Sequence, residues 1–533
     1  MAKRGVQVSD LNASLVVAVP APSAHVVAVG AAPVGSLPGF TWTTPGSGVS
    51  PYASVVNVPI YCQEPQDFTT NLGLSLVFGP GVKGAHNTTG KYGLSEVYDF
   101  MFVENNAGPM TAINVNDPWL YSTHVTSVLY TVNSTLVNIV GEVILASLHV
   151  TGQQSGHVGV QNIDYTFTYD DETLQSGFIT ILSSGNLFTD TSINVDYYTP
   201  NLALITDAII IGGTTVSGQR TGGAVLENVF NVTGQVPSIV ITPGFGSDPT
   251  VIAAFQSHVQ GIANGRFRAV YLSDINTVLA PAFTNLVVEK SNENLQTTWE
   301  YAGWPHCYLG SLNSIADSAG TGKCYHASTV MAVTMQNTDN QFGQIPYVSP
   351  SNKVVSITGT YIIDTFGKQK PIIIDSVMAD FAENVGLFTF LNAQGWKSLG
   401  DYTCAYPTNT NIQDMLINER RMFNWLGNTL SLTLAQFIDL AGNTQDLTTI
   451  NETIQAFLNT LIQAGAANTA SCSFNPNENS AIQVMAGIYT YHILWTPPTP
   501  IRTLDLLLQY DVKGLTAWIS TITISNTSNI VGV

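Results

Sequence analysis

Charge is what this sequence has least of. Lys, Arg, Asp and Glu together make up 10% of 533 residues, under half of the usual quarter. A large free-standing protein keeps itself dissolved with charge, so a surface of Asn, Thr, Ser, Gln and Gly points to a molecule that lies largely against other protein. The same composition fits a β-rich secreted or virion protein with a neutral polar surface. Basic residues are scarcest, 17 against 36 acidic, for a net charge of −19. No cluster of Lys and Arg is present to displace counterions from a phosphate backbone, which argues against a direct grip on nucleic acid. The five cysteines, Cys62, Cys307, Cys324, Cys404 and Cys472, are scattered and odd in number. They describe no disulfide framework, and synthesis in a reducing cytoplasm is the natural expectation. No apolar run approaches the length of a membrane span. The run Leu15–Val19 behind Lys3 and Arg4 is cut by Pro20 and follows Asp10, too short a stretch for a signal peptide.

What is present reads as two to four domains. Residues 1–20 alternate at Val6 and Val8 but have little to fold against, so they read as an extended arm. His25–Gly30 is a buried-strand candidate, Leu94–Glu104 a helix and Met110–Val115 a strand. From 121 to 200 the texture changes to short alternating strands over Val125–Val132, Val143–Val150, Tyr165–Tyr169, Phe178–Leu182 and Ile193–Tyr198, divided by turn residues. This is expected to be an inserted all-β domain. After Pro200 a strand (Pro237–Thr242), a helix (Thr250–Ala263) and a second strand (Arg268–Leu272) predict an α/β layer. Further on, Thr449–Glu452 has the Thr-x-x-Glu form of a capping box, followed by an apolar helical face at Ile450, Ile454, Phe457, Leu458 and Leu461 and a stop at Gly465. Tyr489–Trp495 alternates like a strand, Pro497, Pro498 and Pro500 break it, and Leu504–Tyr510 resumes as extended chain.

Candidate chemistry is thin. The loop Gly244–Pro249 (GFGSDP) lies between a strand and a helix, where phosphate loops occur, but Pro249 stands where a dinucleotide fingerprint has its third glycine. A plain turn is the simpler reading. Ala319–Cys324 (AGTGKC) resembles the end of a Walker A loop, yet Asp317 replaces its first Gly and Cys324 the magnesium-binding hydroxyl. His306, Cys307, Cys324 and His326 could on paper supply four zinc ligands, but neighbours on a strand point oppositely. There is no GxSxG elbow, and the histidines are scattered. No catalytic, metal or cofactor site is therefore expected.

The stretch Gly386–Val512 carries a resemblance. In order it holds the LNAQG turn Leu391–Gly395 after a buried strand, Tyr402–Pro407, a helical stretch with Arg420 and Arg421, the Thr449–Gly465 helix and the terminal strands. Upstream, Tyr347–Asn352 (YVSPSN) is its sharpest single point. This series resembles the C-terminal part of contractile phage tail sheath proteins, including those of R-type pyocins. His25–Gly30, Val58–Gly73 and the helix-to-strand step ending at Asn116–Pro118 also follow that family's order, and Asn162–Gly177 resembles a hairpin found in insertions of some sheaths. The resemblance covers most of the chain outside 121–200.

It implies an α+β multidomain fold: a linking arm (1–20), a sheath core in two parts (21–120 and 201–385), an all-β outer domain (121–200) and a C-terminal domain ending in linking strands (386–533). It implies a non-enzymatic subunit that polymerises helically around an inner tube and contracts to drive the tube through a host envelope. Baseplate and tail terminator proteins would be its other partners, the virion its location, with no cofactor, nucleic acid or membrane insertion. Extended arms add strands to a neighbour's sheet edge. The matching positions are Val6, Val8 and Leu11 at one end and Leu506, Leu508, Tyr510, Trp518 and Ile522 at the other, within Leu504–Val512 and Ala517–Ile524. Lys397, Arg420 and Arg421 are candidate contacts to an acidic tube. The alternatives are a β-rich virion or surface adhesion module binding glycan or receptor, and an unrecognised hydrolase.

Overall fold

A computed structural model describes residues 18–43, 45, 49–75, 92–170, 174–310 and 323–522. Val6, Val8 and Leu11 of the expected arm lie outside them. The chain divides into two units, Met1–Pro498 and Thr499–Val533.

The first unit is built on a six-stranded sheet whose strands are β1 (Val26–Gly30), β2 (Pro59–Cys62), β3 (Met110–Asn114), β4 (Ile239–Ile241), β5 (Val270–Asp274) and β6 (Glu300–Gly303), in the order β6-β5-β4-β1-β3-β2. All pairs are parallel except β2 with β3. A parallel sheet must be covered on both faces, and the near-continuous apolar runs of β1 and β4 are what that demands. Alternate residues divide between two cores. Val27, Val29, Ile113, Val240 and Tyr271 join Val251, Ile252, Phe255 and Val259 of helix α1 (Pro249–Gln260). Val26, Ala28, Met110, Ala112, Ile239, Ile241 and Leu272 join Val330, Met331 and Val333 of helix α2 (Ala327–Gln341).

The first core continues outward into the C-terminal part of the unit. Helix α3 (Ile417–Leu434) contributes Met422, Trp425, Leu426 and Leu430, and helix α4 (Thr444–Gln463) contributes Ile454, Leu458 and Leu461. Each fully buried Leu or Ile there stabilises the docking by about 1.5–3 kcal/mol. Helix α4 starts five residues before the expected capping box. Asn443 is its cap, accepting from the Asp446 amide at 2.9 Å. Thr449 is interior, its hydroxyl turned back to the Gln445 carbonyl. The helix stops where expected, with Gly465 at φ 72°.

Residues 122–200 form two three-stranded antiparallel sheets. One pairs Ser122–Thr131, Ser192–Pro200 and His149–Gly152; the other pairs Leu136–Val140, Ser176–Ile181 and Tyr165–Tyr169. They enclose a core of their own, including Val137, Ile139, Tyr165, Ile179, Ile193 and Val195. Ser122 lies opposite Pro200, so chain entry and exit are neighbours. Of the expected strand Val143–Val150, only His149 and Val150 are in a strand. Val143, Ile144 and Leu148 are all buried and do not alternate, and a short 3-10 turn at Leu145–Ser147 carries them inward.

The second unit, over its described residues, has no helix or strand in 501–511 and then a helix, Val512–Thr521, capped by the Asp511 side chain on the Lys513 amide. The expected strand over Ala517–Ile524 is therefore helical as far as Thr521. Leu504–Tyr510, expected as a strand, has no pairing partner. Without an edge to pair with, the residues after Asp511 close their backbone hydrogen bonds within a helix instead. Leu506, Leu508, Tyr510, Trp518 and Ile522 are all exposed.

Candidate interaction site

The root of the N-terminal segment is held by one stripe of helix α3. Thr433 Oγ1 accepts from the Val19 amide (3.1 Å) and Thr429 Oγ1 from the Ala21 amide (3.1 Å), while Trp425 Nε1 donates to the Ala21 carbonyl (2.8 Å) and Arg421 Nη2 to the Ser23 carbonyl (3.3 Å). The four helix residues are spaced by four, one turn apart, and the three chain residues by two. A helical turn rises ~5.4 Å and two extended residues ~6.6 Å, so the two repeats run nearly in step. The sequence reading missed this stripe; its signal is a row of side chains able to hydrogen-bond at every fourth position, Arg421, Trp425, Thr429 and Thr433.

A two-stranded hairpin follows helix α4, Thr469–Phe474 paired with Tyr491–Thr496. Ala470, Cys472, Tyr491, Ile493 and Trp495 turn toward the first core and the alternate residues outward. Among the described residues neither outer edge of this hairpin has a strand partner. Such an edge presents unpaired backbone donors and acceptors and is a template for a further strand.

The candidate tube contacts divide. Arg421 is 3% exposed and forms a two-pronged ion pair with Asp339, itself 1% exposed, at 2.5 and 3.2 Å. Arg420 is also buried. Its guanidinium lies over Trp299 and Phe423, and it pairs with Asp414 at 3.4 Å. Both cations have their counterions inside the chain and are buried there. Lys397 is partly exposed and donates to Asn352 Oδ1 at 3.0 Å, joining the LNAQG hairpin to the SPSN turn.

The other motifs also find their places. At GFGSDP the Asp248 carboxylate takes the free amides of Thr250 and Val251 at the start of α1, so the position an anion would occupy is filled by the chain's own negative charge. Of AGTGKC, residues 319–322 lie outside the described residues, and Lys323 is bound by Asp99 (2.7 Å) and Glu104 (2.6 Å). His306 and His326 come together, their ring centres 5.3 Å apart. Cys307 and Cys324 instead join separate apolar clusters. Among the described residues no group of three or more His, Cys, Asp or Glu is placed to hold a metal.

No family model matches the chain. A curated tail sheath protein of Burkholderia phage BcepMu is 22% identical over 445 residues, covering 80% of this chain and 85% of that relative. A chain of the contracted sheath complex of PVC, an extracellular contractile injection system, shares the fold with a TM-score of 0.51 at 11% identity, over 96% of this chain and 99% of its own. A chain of the contracted anti-feeding prophage baseplate gives 0.51 at 13%, with the same coverage. By sequence and by fold, this chain is similar to contractile tail sheath proteins.

The grip of α3 on residues 19–23 ties that segment to the first core, and the hairpin that follows α4 packs against the same apolar core as α3.

Proposed function

We propose that many copies of this chain polymerise helically around an inner tail tube, linked through their two ends, and that the lattice shortens to drive the tube through a host envelope. The observation that carries this reading is the second unit: Leu504, Leu506, Leu507, Leu508, Tyr510, Trp518 and Ile522 are all exposed. A solitary soluble protein does not leave so much contiguous apolar chain in water. Burial against a neighbouring copy removes that cost, and strand addition to the free hairpin edge supplies main-chain hydrogen bonds. Residues 1–20 would link in the same way from a root held by α3.

Baseplate and terminator proteins would bound the polymer at its ends, and the assembled virion tail would be its location. The 121–200 domain would face outward, where its mass leaves the lattice undisturbed. Contraction needs no nucleotide, because the energy difference between two packings is set at assembly. Electron microscopy tests the core of the proposal. The full-length protein is expected to form wide hollow tubes, and a chain ending at Pro498 to stay as small particles while keeping its melting temperature. Tubes from the truncated chain would refute the role given to the C-terminal end.

A further inference from the structure

The two edges of the hairpin that follows α4 are not alike. On the Thr469–Phe474 side the Gln455 side chain of α4 stands where a strand would: its Oε1 accepts from the Cys472 amide at 2.9 Å, and its Nε2 donates to the Ala470 carbonyl at 3.5 Å. A parallel neighbour bonds the same two groups, the carbonyl of one residue and the N–H two positions on. One side-chain amide therefore closes the centre of this edge. Helix α4 itself packs along Thr469–Phe474, and a helix laid over an edge keeps further strands away.

The other edge is open. In an antiparallel pair the backbone groups of successive residues turn alternately to the partner strand and to the outside. Cys472 turns outward, so its register partner Ile493 does too, and with it Tyr491 and Trp495. Thr490 has the opposite sense, and Asn479 of the connecting loop takes both its amide (2.6 Å) and its carbonyl (2.8 Å). Among the described residues the outward amides and carbonyls of Tyr491, Ile493 and Trp495 have no partner.

The segment Leu504–Tyr510 has the complementary pattern. Leu504, Leu506, Leu508 and Tyr510 fall on one face of an extended chain and Asp505, Leu507 and Gln509 on the other. Laid along Tyr491–Thr496, its apolar face continues the one that Tyr491, Ile493 and Trp495 turn to the core, and its other face continues that of His492, Leu494 and Thr496. We infer that Gln455 selects the edge: it closes Thr469–Phe474, so that Leu504–Tyr510 of a second copy adds only along Tyr491–Thr496. This rests on the polymer proposed above and assigns one side of the hairpin to it.

The test is amide hydrogen exchange read residue by residue, on the full chain dispersed, assembled into tubes, and dispersed with a synthetic peptide of residues 499–512. In the dispersed chain the Cys472 amide is expected to be protected. Q455A should make it exchange at least about tenfold faster, while Q455E, which keeps the acceptor, should hold it. Tubes or peptide should slow the amides of Tyr491, Ile493 and Trp495 by at least about tenfold and leave those of Ala470 and Phe474 unchanged. If no tubes form but the peptide protects the Tyr491–Thr496 edge, the polymer fails and the edge choice stands. Protection gained at Ala470 and Phe474, no protection at either edge from tubes and none from peptide, or a Cys472 amide indifferent to Q455A would overturn the inference.

Discussion

At the scale of single residues, sequence reasoning went furthest astray with arginine. Arg420 and Arg421 stand out as the cations of a charge-poor segment, and a scarce charge invites a role at a surface. What the sequence does not display is the carboxylate 82 positions away: Arg421 meets Asp339 only because α2 and α3 are brought together. Arg421→Met leaves Asp339 buried without a counterion and is expected to cost about 3–5 kcal/mol in urea unfolding. A double variant that also makes Asp339 apolar should recover most of that loss. A single variant as stable as the parent would show that the pair is not formed.

At the scale of elements, period and turn chemistry gave most of the strands and helices of the first unit, and failed where two signals competed. The Thr-x-x-Glu at Thr449 is a good capping box in isolation, but Asn443 caps a longer amphipathic helix whose first two turns carry few apolar residues. Asn443→Ala should therefore destabilise the protein by about 1 kcal/mol, and Thr449→Ala by well under half of that. Equal effects in denaturant titrations would contradict the assigned start. The segment after Asp511 failed for another reason. Its β-branched residues alternate, but Val512, Leu515, Trp518, Ile519 and Ile522 also recur at helical spacing. An unpaired strand leaves its backbone donors in water, whereas a helix does not.

At the scale of the molecule, buried ionisable groups set a pH dependence. Burial lowers the His326 pKa, but the Glu96 carboxylate, and then Asp274, outweigh it and leave it above its usual value. Burial raises Glu300 to about 7 and Glu293 to about 9, against the hydrogen bonds that Ser273 and Gln256 give Glu300. A raised pKa in the folded state means stability that is complete below the unfolded value and is lost as pH rises through the folded one. For Glu300 the loss runs from about pH 4.5 to about 7 and for Glu293 from about 4.5 to about 9, while for His326 it begins near pH 6.5, so all three still contribute a loss above pH 6.5. Below about pH 6.5, His25 and His306, held neutral by burial, oppose the trend. The melting temperature should fall from pH 6.5 to 9, and E300Q should flatten the slope; a rise would refute the assignment. The 122–200 region makes a separate prediction. Because Ser122 and Pro200 are paired neighbours, joining 121 to 201 through a short Gly-Ser link should leave a folded chain that still forms tubes in electron microscopy. Loss of polymerisation would place that region in the lattice contacts. By itself the sequence determined the charge-poor composition, the apolar strands of the α/β layer, the all-β texture of 121–200 and the family order of the C-terminal stretch, because each is a local pattern of composition or period. Only the tertiary structure decided which charges are spent inside and that helix α3 grips residues 19–23. Those pairings join residues tens to hundreds of positions apart, and no local period records them.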